Sequence, residues 1–160
     1  MYKLVLFPDP ILREQMPDFN FENPIIDPVV LEKDLLETMY ANNGIGLAAN
    51  QVGIRTRMFV MGHKDSPELG QAFFNPTVIE NTDTIVDMEE GCLSFPNMFV
   101  KIKRPSKIKA RWHNSKGEQQ EGIFEGYDCK CFLHELDHLE GIVFKDRVST
   151  LKWALANKRK

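Results

Sequence analysis

The chain of 160 residues is long enough for one domain with a substantial buried core, and it is expected to form a single domain over 1–160. Its 42% hydrophobic and 27% charged residues are ordinary for a globular protein, and a net charge of −3 gives no global attraction to DNA or an anionic membrane. No apolar run approaches the roughly 20 residues that span a bilayer, MYKLVLFPDPILREQ lacks the order of a secretory leader, and three cysteines cannot all pair, so a monomer in a reducing cytoplasmic compartment is expected.

The first clear helix is DPVVLEKDLLETMYANNG. Asp27 is suited to the N-cap and Pro28 to the first helical position, and Asn43 or Gly44 can close the other end. Leu31, Leu35, Leu36 and Met39 recur at helical spacing and give one apolar face. GIGLAANQVG follows, and then come RMFVM, QAFFNP, TDTIVDM, FVKIK, KIKARW and EQQEGIF. These β-branched and aromatic runs, broken by turn residues, read as antiparallel strands. A second helix is predicted from about Tyr127 to Glu140, stopped by Gly141, and a short third one from about Ser149 carrying Leu151, Trp153 and Leu155. Helix, strands and then helix make an α+β domain, with a short C-terminal tail from about 149. The basic ending Lys158, Arg159 and Lys160 reads as a solvated tail, with a weak contact to ribosomal RNA as the alternative.

Chemistry concentrates in three stretches. In HELDH, His134 and His138 stand four residues apart, so both imidazoles fall on one helical face and can converge on one atom. This is metal-ligand spacing, with Glu135 beside the first ligand as a proton acceptor. In EGCLSF, Cys92 lies between strand-like segments and is the cysteine best placed to be exposed on a rigid turn after Gly91. One thiolate and two imidazoles leave a fourth position on zinc or ferrous iron for water. Cys129 reads as a core residue, and Cys131 shares that reading from its place on the helix. In GIGLAANQVG the glycines around Ile45 permit close approach or unusual dihedrals, and Gln51 offers an amide. Asp137 points about 100° away from His138 and is expected to support the helix through a hydrogen bond or ion pair.

GIGLAANQ, EGCLS and HELDH, in that order and separation, resemble the three signature motifs of the peptide deformylases, and PDPILR resembles that family's N-terminal segment. The likeness spans Pro8 to about Lys145. It implies removal of the N-formyl group from the formyl-methionine of nascent polypeptides, releasing formate. It also implies a metal-bearing helix surrounded by antiparallel sheets. Carried over by position, Cys92, His134 and His138 would bind one divalent ion. Fe(II) would be native, with Zn(II), Ni(II) or Co(II) as substitutes. Glu135 would be the acid/base, and Gln51 with the backbone N–H of Leu93 would stabilise the oxyanion. Ile45 and Gly46 would line the substrate groove, and Glu90 would help shape the methionine pocket.

One departure lies on the metal-bearing helix. Tyr127 and Lys130 occupy positions that in this family usually carry apolar pocket residues, with Cys131 beside them. A bare buried ammonium near a divalent cation is costly, so the Lys130 stem is expected to form pocket wall while its head stays free at the mouth. The alternative enzymatic reading is a zincin-type metallopeptidase. Such enzymes take their third ligand downstream of H-E-x-x-H, whereas Cys92 lies upstream.

Overall fold

The computed structural model describes residues 1–158, so Arg159 and Lys160 of the basic ending lie outside it. Helix α1 runs Pro28–Ala41, with the Asp27 carboxylate accepting from the amides of Val29 and Val30. Asn43, at φ +59°, makes the left-handed exit from the helix. Leu31, Leu35 and Met39 are buried as their spacing predicts, and Leu36 sits half-buried at the edge of the face.

Five strands form one antiparallel sheet: β1 (Gly46–Ala48), β2 (Met58–Met61), β3 (Gln71–Asn81), β6 (Lys107–His113) and β7 (Gln119–Glu125), in the order β1-β2-β3-β6-β7. The remaining strands, β4 (Ile85–Cys92) and β5 (Phe95–Pro105), pair with each other as a separate hairpin. β1 has no strand signature of its own. Its state comes from pairing, with Gly46 opposite Met61 and Ala48 opposite Phe59.

Alternation along these strands divides the core in two. Leu47, Met58, Val60, Ala72 and Phe74 join the α1 face. Ala48, Phe59 and Phe73 point the other way, to a cluster that contains Phe132 of α2 (Gly126–Leu139). Both sides of β2 are therefore apolar, as a strand covered on both faces requires. Phe132 is fully buried, with ring centroids 5.0 Å from Phe59, 5.5 Å from Phe73 and 4.9 Å from Phe124. The sheet thus grips α2, the helix that carries His134 and His138, through aromatic rings.

The two ends of α2 depart little from expectation. The helix begins one residue before Tyr127 and ends at Leu139, and Gly141 follows at φ +76°. A Cβ at Gly141 would lie 2.5 Å from the Arg13 carbonyl oxygen, so the position is closed to other residues by space as well as by dihedral. That contact arises because PDPILR folds into a 3-10 turn, Pro10–Arg13, with Ile11 and Leu12 buried, and docks on the end of α2. The Met16 amide completes the docking by donating to the Leu139 carbonyl at 2.8 Å.

Helix α3 (Thr150–Asn157) starts where predicted, with the Ser149 hydroxyl accepting from the Lys152 amide. Its expected apolar face divides. Trp153 packs on Phe95 and Phe144, whereas Leu151 and Leu155 are 68% and 58% exposed. Residues 151, 153 and 155 are spaced by two, so they cannot share one helical face.

Because Phe132 joins three other rings, Phe132→Ala is expected to destabilise the fold by about 3–5 kcal/mol. A denaturant titration should show a lower midpoint at an unchanged slope.

Candidate metal centre

Helix α2 presents His134 and His138 one turn apart, with ring centroids 5.1 Å from each other. The β4–β5 hairpin supplies the third donor. Its register shifts between Gly91 and Cys92, and Cys92 then pairs with Phe95 across the turn made by Leu93 and Ser94. Cys92 is therefore the last residue of a strand and not part of a free turn. Its Sγ lies 3.3 Å from His138 Nε2, and the ligand atoms of Cys92, His134 and His138 all fall within 4.8 Å of one another.

A chain of charges, buried except for Arg147 at its outer end, orients His134. The Nδ1 of His134 is 2.9 Å from Glu90 Oε1, which fixes Nδ1–H as the donor and leaves Nε2 as the ligand atom. Glu90 in turn takes two bonds from Arg104, Nε to Oε2 at 2.5 Å and Nη2 to Oε1 at 2.9 Å. The third Arg104 nitrogen reaches Asp137 at 3.0 Å, and Arg147 grips the same carboxylate at 3.0 and 2.6 Å. Burial alone would raise the Glu90 pKa, but the hydrogen bonds from Arg104 and His134 outweigh it and hold the group at about 2. Glu90 does line the cavity, yet both its oxygens are engaged. Where the resemblance implied only a part in shaping the methionine pocket, the geometry gives Glu90 a contact that aims the His134 ring. Asp137 supports the helix by ion pairing, as its outward angle suggests. Asn50 adds a further tie by donating its amide to the His138 carbonyl at 2.9 Å.

Beside the ligands opens a cavity of about 630 Å³, lined by Ile45, Gly46, Gln51, Glu90, Leu93, Lys130, Cys131 and Glu135 among others. The Gln51 amide is fully committed in orientation. Its Oε1 accepts from the Ala48 amide at 2.9 Å, and its Nε2 donates to Ser94 Oγ at 3.0 Å and sits 3.5 Å from Cys92 Sγ. Gly46 is required by contact and not by dihedral, since a Cβ there would meet Glu135 Oε2 at 2.6 Å and Cys131 Sγ at 2.8 Å. Gly44 likewise leaves room for the Leu93 side chain.

Glu135 is 4% exposed, and its Oε1 is buried without a hydrogen-bond partner. Burial pushes its pKa up to about 7, which suits a group that must both take and give a proton near neutrality. Burial, followed by the charge of His134, holds His138 well below its ordinary value and so in the neutral form a ligand needs. An unsatisfied carboxylate oxygen and three converging soft and borderline donors fit one divalent ion with an open position.

Two expectations on α2 need correction. Tyr127 is 64% exposed and does not line the cavity; its ring lies under Lys130 Nζ at 4.0 Å. The Lys130 stem is cavity wall as expected, but its head is not free, because Nζ donates to the Glu89 carbonyl at 2.9 Å. Carbonyl and ring together compensate a buried ammonium, and desolvation lowers its pKa. Cys131 lines the cavity with its thiol 3.6 Å from the Ile45 carbonyl, so it is not purely a core residue. Cys129 packs in the core, its thiol pushed up to about 11 by burial.

Arg104, Asn50 and Ser94 were not singled out in the sequence. Arg104 did leave a trace, because Val100, Ile102 and Arg104 alternate with Lys101 and Lys103 and put one arginine on the apolar face of β5. Asn50 and Ser94 left none, since their partners lie 88 and 43 residues away.

Against known proteins, residues 1–154 match the family model for polypeptide deformylase. A peptide deformylase of Thermotoga petrophila is 42% identical over 160 residues, covering 99% of this chain and 94% of that protein. The crystal structure of the Thermotoga maritima peptide deformylase superposes with a TM-score of 0.86 at 40% identity, covering 93% of this chain and 98% of that one. A peptide deformylase structure from Legionella pneumophila gives 0.91 at 29% identity, covering 99% and 92%.

Cys92→Ser is expected to lose most bound metal after loading, while Cys129→Ser keeps a full equivalent; elemental analysis of the two purified proteins decides it. Arg104→Gln leaves two buried carboxylates short of a cation and should cost about 3–5 kcal/mol in denaturant unfolding. It should also weaken metal retention, because the carboxylate that aims His134 loses its clamp.

Proposed function

The chain belongs to the peptide deformylase family, and from that premise we propose how its residues divide the work of the reaction. It removes the N-formyl group from newly made polypeptides and releases it as formate. The observation that carries the division of labour is Glu135 Oε1, a buried oxygen without a partner, set beside three converging ligand atoms.

Cys92, His134 and His138 would hold one divalent ion, which we assign as Fe(II), with Zn(II), Ni(II) and Co(II) as substitutes; the thiolate and imidazole donors support that choice. When bound, the ion supplies Lewis-acid polarisation and lowers the pKa of coordinated water. Glu135 accepts the proton that the attacking water must lose and returns it to the departing amine nitrogen, which leaves poorly unless protonated. Gln51 Nε2 and the Leu93 amide donate to the former carbonyl oxygen as charge develops there. A donor of this kind is typically worth about 3–4 kcal/mol in the transition state. The bond from Ala48 to Gln51 Oε1 orients the amide beforehand, so little reorganisation is needed during reaction.

Ile45 and Gly46 form one wall of the substrate groove, and Glu90, Cys131 and the Lys130 stem form part of the methionine pocket. Tyr127 contributes by holding the Lys130 head, outside the cavity. We read the whole of 1–160 as one catalytic domain with a short C-terminal tail from about 149, supported by the strands that both apolar clusters share. Three free thiols suit a reducing cytoplasm. A monomer acting on nascent formyl-Met chains, with at most weak ribosome contact, completes the reading. No helix among the described residues is long and apolar enough to cross a membrane. A zincin-type peptidase is not favoured by the site, whose third donor stands on a strand preceding the helix.

Glu135→Gln keeps the shape but cannot take the proton, so kcat on a formyl-Met peptide should fall at least about 100-fold. Metal content should be retained. Unchanged turnover in the variant would assign the proton transfer elsewhere, and equal cleavage of formylated and unformylated peptides would point to a peptidase.

A further inference from the structure

A second hollow, a groove of about 740 Å³, lies on the outer face of the β4–β5 hairpin against α3, and the catalytic site does not use it. Its apolar surface comes from Phe99, Leu151 and Leu155, exposed by 46%, 68% and 58%. Outward-facing β5 residues build one wall, and the two leucines, one helical turn apart, build the other. The Phe99 amide donates to Asn157 Oδ1 at 3.1 Å, which ties the end of α3 to the strand.

Phe99 also lines the catalytic cavity, so the groove and the cavity meet at this ring. The ring lies over Gly91, directly opposite it in the hairpin, where a Cβ would come within 2.6 Å of it. Glu89 marks the same junction, with its carbonyl held by Lys130 and its side chain at the groove.

Resting on the deformylase reading above, we propose that this groove receives the third to fifth residues of the nascent substrate and favours apolar side chains there. The substrate is a polypeptide whose first residue occupies the cavity, so its main chain must leave past the rim. An extended chain advances about 3.3 Å per residue, so its later residues lie outside the cavity, and the shared Phe99 ring makes the groove the continuation we assign to them. Charge argues for an apolar occupant: Glu89 stands against Lys101 and Lys152 in the lining, so the surface offers no strong single-sign field for a nucleic acid. Phe99, Leu151 and Leu155 instead offer area that an apolar side chain can cover.

Kinetics on three substrates test the proposal: formyl-Met-Ala, formyl-Met-Ala-Leu-Leu-Ser and formyl-Met-Ala-Ser-Ser-Ser. The KM of the leucine peptide is expected about tenfold below that of the serine peptide. The double variant Leu151→Glu/Leu155→Glu, changed only at exposed positions, should erase that difference while kcat/KM on formyl-Met-Ala stays within about twofold. Equal KM values for the two longer peptides with the unaltered protein would overturn the proposal, as would a variant impaired equally on all three. A concentration-dependent dimer in sedimentation that the double variant abolishes would assign the face to a second copy and overturn it as well. Failure of the unaltered, metal-loaded protein to cleave formyl-Met-Ala would instead overturn the deformylase reading itself and take this proposal with it.

Discussion

The site depends on four alternating charges that run inward from the protein edge: Arg147, Asp137, Arg104 and Glu90, ending on His134 Nδ1. Asp137, Arg104 and Glu90 are costly to bury alone, and each is matched by a partner of opposite sign in hydrogen-bonding geometry, with the exposed Arg147 closing the outer end. The chain joins α2 to the β4–β5 hairpin, which are also the two elements that carry the converging Cys92, His134 and His138. Seating the hairpin on the helix through Arg104 therefore brings Cys92 to the histidines in the same movement. Asn50 and the docked Pro10–Arg13 turn hold the far end of the helix, so His134 and His138 sit on an element restrained along its length.

Apolar packing sets the depth of the site and electrostatics sets its aim. Aromatic rings from β2, β3 and β7 hold α2 through Phe132, and its opposite side then faces the cavity. Gly46 leaves room for the Glu135 carboxylate beside the β1 backbone, and burial of that carboxylate raises its pKa to about 7. Gln51, three residues beyond β1, has its amide turned toward Cys92 by a bond to the strand's last residue.

Lys130 shows how the fold absorbs a residue at odds with its surroundings. An ammonium in a cavity wall would oppose a divalent cation if left uncompensated. The Glu89 carbonyl and the Tyr127 ring take up the charge, and the stem alone is presented to the cavity. Tyr127, exposed and outside the cavity, is explained by its contact with Lys130.

The sequence by itself determined the elements whose signals are local. The Asp27-Pro28 start, the spacing of Leu31, Leu35 and Met39, the Ser149 cap and the Gly141 stop each depend on neighbours a few residues away. The pairing of two imidazoles four apart with an adjacent carboxylate is equally local, because helical periodicity alone places them together. The tertiary structure decided what depends on distant partners. β1 is a strand only because β2 lies beside it, and Arg104 joins the site only because hairpin register and helix docking bring it to Glu90 and Asp137. That Trp153 and not Leu151 or Leu155 lies on the covered side of α3 follows from where the helix lands on β5. A helical or alternating period shows which residues share a face, but which charges that face will meet is settled only when the layers pack.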